Sequence, residues 1–150
     1  MNEPELDKLT EKIIGCAYQV ANSLGAGFLE KVYENAYAHR MRTDGLKVEQ
    51  QFPIKVAYDG IIVGEFFADL LVENRVLIEL KAVSELNNEH IAQALNYLRA
   101  TRLEACLLIN FGKPRIQIRH LHPSPSWKAP TEERCFSEKN PIYPRSSPVN

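Results

Sequence analysis

The sequence predicts an α/β domain. Three observations carry this: apolar residues recur at helical spacing in the opening segment and again after Asn87, the segments between and after them are rich in β-branched and aromatic residues, and turn residues stand at each change of period. A chain of 150 residues suits one such domain and buries most of its apolar surface without disulfides or a structural metal.

The elements follow in order. Leu6, Leu9, Ile13, Ala17, Val20, Ala21 and Leu24 describe one face of a first helix, broken by Gly25-Ala26-Gly27. A second helix is expected from about Phe28 to Met41, stopping at Thr43-Asp44-Gly45. The stretch KVEQQFPIKVAYDG then reads as a strand with a turn at Asp59-Gly60. IIVGEFFADLLV follows as a second strand, Glu73-Asn74-Arg75 as a turn, and VLIELKAV as a third strand. A third helix is expected from about Asn87 to Arg102, on the spacing of Ile91, Ala94, Leu95 and Leu98. EACLLINFG and RIQIRHLH are two further strands.

Beyond His122 the composition changes, because six of the nine prolines fall between Pro123 and Pro148, among serines and charges. Such a tail builds no core of its own, so residues 1–122 form the domain and 123–150 an extended or disordered tail. A net charge of −1 argues against bulk coating of nucleic acid, though not against a local basic groove. Cys16, Cys106 and Cys135 lie far apart with no CxxC spacing, which suits small buried hydrophobes in a reducing compartment. With no charged-then-apolar leader and no long apolar run, the expectation is a soluble, cytoplasmic protein without membrane contact.

One hairpin is anomalous. ADLLVENRVLIELKAV would be two apolar strands but for Asp69, Glu79 and Lys81. Strand alternation places Glu79 and Lys81 on the face of Leu77, and Asp69 on the face of Phe67 and Leu71. A turn centred on Asn74 sets Val72 against Val76, Leu71 against Leu77 and Asp69 against Glu79. A slip of one residue would spoil the facial match. Opposed Cβ atoms are about 4.5–5.5 Å apart, so two carboxylates there require a positive charge between them or a proton on one. Lys81 supplies one charge. A hard divalent cation such as Mg²⁺ satisfies both sets of oxygens better. The plainer alternative is a salt bridge from Lys81 to one acid with the other solvated.

Two further motifs bear on the choice. GFLEKVYENAY carries Gly27, Glu30 and Tyr33 as G-x-x-E-x-x-Y, and HIAQALNYLRA carries Gln93 and Tyr97 as Q-x-x-x-Y on one helical face. With Asp69…Glu79-Leu80-Lys81, in that order, the chain resembles the GxxExxY protein family, a branch of the PD-(D/E)XK nuclease superfamily, over about residues 6 to 122. Ala68 stands where the superfamily carries a proline.

The resemblance implies a mixed sheet, antiparallel hairpins plus further strands, flanked by helices. It also implies that Asp69 and Glu79, with the Leu80 carbonyl, bind Mg²⁺ or Mn²⁺, with Glu30 as a further metal or water ligand. Lys81 would orient or activate the attacking water and stabilise charge on the phosphate. Gln93 and Tyr97 would line the substrate side, with Tyr33 of the first motif as a further candidate. His90, three residues before Gln93 and so on the same helical face, could contact phosphate or a metal-bound water.

Core packing is the alternative for Tyr33 and the preferred reading of Tyr37; capping is the alternative for His90. Glu34 is expected to be solvated or a secondary contact. His120 and His122 make no metal site by themselves. Arg99, Arg102, Lys113, Arg115 and Arg119 are candidates for a phosphate lane, although cations at a helix C-terminus are also favoured by the helix dipole. The expectation is a metal-dependent nuclease acting on DNA in preference to RNA. A non-catalytic nucleic-acid-binding or interaction module and an internal salt-bridge network are the alternatives.

Overall fold

The computed structural model describes residues 3–124. The expected tail lies outside the described residues, apart from its first two positions.

Eight elements follow in the expected order: α1 (Glu3–Leu24), α2 (Glu30–Thr43), β1 (Val48–Tyr58), β2 (Ile61–Val72), β3 (Val76–Lys81), α3 (Asn88–Thr101), β4 (Ala105–Asn110) and β5 (Gln117–Leu121). Helix α2 starts two residues later than the apolar pattern suggested. Phe28 and Leu29 belong instead to the loop, where Gly25 and Gly27 hold φ of 71° and 116°, a region an L side chain resists.

The strands form one sheet in the order β1-β2-β3-β4-β5. Only β3 and β4 run parallel, joined through α3, and the other neighbours are antiparallel. A parallel pair cannot be closed by a tight turn, which explains the helical crossover. The sheet is therefore mixed, with helices on both faces, as expected.

Burial explains the layering. Helices α1 and α2 place Ile13, Ala17, Tyr37 and Met41 against Val72, Val76, Ile78, Leu107 and Ile109. On the other face, α3 places Ala94, Tyr97 and Leu98 against Leu71, Leu77 and Cys106. β4 is buried along its whole length, which is why its sequence shows no alternation.

The β1–β2 hairpin departs from simple alternation. Leu70 and Val72 join the α1–α2 side, whereas Ala68 and Ile54 join the α3 side, although even-numbered residues of a regular strand share one face. The pair therefore rolls over between Leu70 and Ala68. Across from this point Gln51 holds a left-handed φ of 55° and drops out of the run of paired residues between Gln50 and Phe52. The roll corrects the expectation that Asp69 shares one continuous face with Phe67 and Leu71: Leu71 is buried and Phe67 is 51% exposed.

Candidate active site

The register of the β2–β3 hairpin is the expected one, with Val72 opposite Val76, Leu71 opposite Leu77 and Leu70 opposite Ile78. The ladder stops there, one step short of the acids. Carboxylates take over its role: Asp69 N–H donates to Glu79 Oε2 at 3.1 Å, and Leu80 N–H donates to Asp69 Oδ2 at 2.7 Å. Each acid thus closes the split between the strands with the amide of the strand opposite.

Both carboxyls resist ionisation. Burial pushes Glu79 up to about 8, aided by the charge of Asp69 and opposed by the Asp69 amide and Lys81. Asp69 is also raised, chiefly by burial, while the Leu80 amide and Gln51 pull the other way and Glu34 and Glu30 add repulsion. Two half-desolvated carboxyls of this kind favour either a shared proton or a cation. Lys81, partly exposed, acts on Glu79 through its charge. Its ammonium makes no hydrogen bond or ion pair among the described residues. Among the described residues it forms no salt bridge with either acid.

The donors are chemically suited to a hard divalent ion. Asp69 and Glu79 offer carboxylate oxygens. Leu80 directs its amide toward Asp69, and in an extended strand the carbonyl of the same residue points to the same side. Glu30 is nearby, since its charge is felt at both acids. Among the described residues, however, no three His, Cys, Asp or Glu side chains are gathered as a ready metal cluster. The fit is therefore a two-carboxylate site with a backbone oxygen, leaving further positions for water.

The inward acid of α2 is Glu34 and not Glu30. Of the two expectations for Glu34, solvated or a secondary contact, the second is the one observed. Glu34 is 3% exposed and takes hydrogen bonds from Lys31, Gln50 and Gln51. Gln51 Nε2 lies 2.9 Å from Glu34 Oε1 and 3.3 Å from Asp69 Oδ1, so it ties the helix acid to the strand acid. Sequence reasoning missed Gln51. Its only signal was a polar pair, Gln50-Gln51, inside a strand, and the left-handed backbone that aims it is a tertiary feature.

The remaining residues divide. Tyr97 borders the acids: burial first, then the charges of Glu79 and Asp69, raise its hydroxyl above the ordinary tyrosine range. Gln93 stands on the same helix and lines a cavity beside Tyr97. His90 instead closes a capping box, its Nδ1 accepting from Asn87 N–H while its own amide donates to Asn87 Oδ1.

Tyr33 is withdrawn from the substrate side. It is 1% exposed, stacks on Phe111 with ring centroids 4.8 Å apart, and uses its hydroxyl to donate to Gly25 O and accept from Phe28 N–H. Tyr37 is core, donating to Ile13 O at 2.8 Å. Of the basic lane, Arg99 reaches the cavity, Lys113 pairs with Glu85, and Arg102 is the left-handed cap of α3.

A mixed sheet with helices on both faces, carrying two acids and a lysine where a central hairpin splits, fits a nuclease-type domain. The chain belongs to the PD-(D/E)XK nuclease superfamily, whose family model matches residues 7–121. No curated protein and no solved structure matches the chain at a significant level. Nucleases of this superfamily generally use divalent metal ions and act on nucleic acid. Among the described residues, no helix is long and apolar enough to cross a membrane.

Proposed function

We propose that this protein is a GxxExxY-type, metal-dependent nuclease of the cytoplasm that hydrolyses phosphodiester bonds, in DNA rather than RNA. One observation carries the reading: a buried Glu79 and a half-buried Asp69, both resisting ionisation, close the split in a hairpin beside Lys81, which forms no ion pair among the described residues. Asp69, Glu79 and the Leu80 carbonyl would hold Mg²⁺ or Mn²⁺, with Glu30 close enough to act through its charge. When bound, such an ion makes water nucleophilic near neutral pH and neutralises a phosphate.

The protein's own groups divide the remaining work. Gln51 holds Asp69 toward the split, and Lys81 places a compact positive charge where a phosphate oxygen would lie. Tyr97 and Gln93 bound the substrate side. The test is incubation of purified protein with single- and double-stranded DNA and RNA in Mg²⁺, Mn²⁺ or chelator, beside Lys81→Ala. The expected result is metal-dependent cleavage of DNA, reduced roughly 10²–10³-fold by Lys81→Ala with metal binding retained. Cleavage that persists in chelator, or an undiminished variant, would sink the mechanism.

A second reading, a non-catalytic nucleic-acid-binding module on the same fold, draws on the missing third ligand among the described residues. Tight binding without cleavage in any metal would favour it.

A further inference from the structure

The outer β1–β2 hairpin and α3 line a half-open cavity of about 630 Å³ that includes Tyr97, within the range of about 300–1,000 Å³ usual for small-ligand sites. Its wall is aromatic on one side. Phe66 of β2 packs against Tyr97 of α3, with ring centroids 5.6 Å apart and planes inclined by 38°. Phe66 is nevertheless 43% exposed. Gln93 and Asn96 bring carboxamides to the lining, and Lys55 and Arg99 bring positive charge. Glu89 is the one acid there, one helical turn before Gln93.

Two links tie the cavity to the acids. Tyr97 belongs to both, since it lines the cavity and feels the charges of Glu79 and Asp69. The roll of the hairpin at Gln51 supplies the second. Without it, Phe66 would lie on the face of Leu70 and Val72, against α1 and α2, rather than over α3.

We propose that this cavity receives an unpaired base of a nucleic-acid strand whose phosphate lies at the Asp69–Glu79–Lys81 site, so that the protein engages single-stranded segments. The inference rests on the nucleic-acid reading of that site. Phe66 provides the stacking face, which every base can use. Gln93 and Asn96 offer both a donor and an acceptor to a base edge. Lys55 and Arg99 attract the flanking phosphates, and Glu89 repels them from the opposite end. Bases inside a duplex are already stacked and paired and present no free face to the cavity, so a paired substrate must first release one.

The test measures binding in chelator, where cleavage plays no part. The probe is a short oligonucleotide containing the fluorescent base 2-aminopurine, which dims when stacked, as DNA or RNA, single-stranded or paired with its complement. The comparison is unmodified protein against Phe66→Ala, which removes the platform, and Ala92→Trp, which fills the cavity from an exposed position of α3.

The expected result is quenching and binding with the single strand, weaker binding of the duplex, and a loss of roughly 5- to 150-fold in both variants. If Phe66→Ala does not fold, Ala92→Trp decides. The inference is overturned if the duplex binds as tightly, if the folded variants bind as the unmodified protein does, or if no single strand binds. A protein that cleaves nothing yet shows the expected binding pattern would support this inference and remove the nuclease reading. A protein that cleaves, but whose variants bind normally, would do the reverse. The DNA and RNA arms show which sugar the cavity accepts.

Discussion

Glu79 accepts a hydrogen bond from the backbone amide of Asp69, at 3.1 Å, at the position where the β2–β3 ladder gives way. The acid is therefore part of the sheet's hydrogen bonding as well as part of the site, and this coupling shapes how it titrates.

The metal-free protein should lose stability as pH rises. Glu79 is raised in the folded chain from 4.5 to about 8, so the fold favours the protonated carboxyl. Its contribution is fully present below 4.5 and is lost as pH climbs through about 8. Thermal melts across this window should show a downward slope, which Glu79→Gln flattens and saturating Mn²⁺ opposes at the alkaline end. A metal-free slope unchanged in Glu79→Gln would show that the acid is not held as described.

Gln51→Gly should separate geometry from stability. Glycine adopts φ of 55° without strain, so urea unfolding should change by no more than about 1 kcal/mol. The bridge from Glu34 to Asp69 is lost, and Mn²⁺ affinity measured by calorimetry should fall about 10–100-fold. Unchanged affinity would mean that Asp69 is positioned without Gln51.

Tyr33→Phe tests the withdrawal of this residue from the substrate side. Its hydroxyl serves Gly25 O and Phe28 N, so its loss should lower stability by about 1–3 kcal/mol. Oligonucleotide affinity should stay as it was. A variant with normal stability and weakened affinity would return Tyr33 to the substrate side.

Gly112→Ala should be severe. A methyl group there would meet Val83 O at 2.3 Å, Val83 N at 2.4 Å and Ala82 C at 2.7 Å. These are backbone atoms just after Lys81, and Asn110 holds Val83 in place through both its N–H and its carbonyl. A loss of about 3 kcal/mol or failure to fold is expected, read by urea denaturation.

The sequence by itself determined the order of elements and the hairpin register from Val72–Val76 to Leu70–Ile78. Beyond that last pair the ladder ends, and Asp69 and Glu79 meet the opposite strand through their carboxylates instead. The order and the register follow from local rules: apolar spacing marks helices, turn residues mark reversals, and strand alternation makes a slipped register expose Leu71 and Leu77. The sequence also singled out Lys81, a charge among apolar strand residues, and, through the Q-x-x-x-Y motif of the family resemblance, Tyr97. Only the tertiary structure decided that Glu34 turns inward, that Tyr33 is spent on its own loop, that Gln51 reaches Asp69, and that Phe66 faces Tyr97. These depend on a left-handed residue inside a strand and on contacts that join α2, the loop before it and α3 to other elements. Such backbone choices are set by packing between segments far apart in the chain, so no periodicity within any one segment records them.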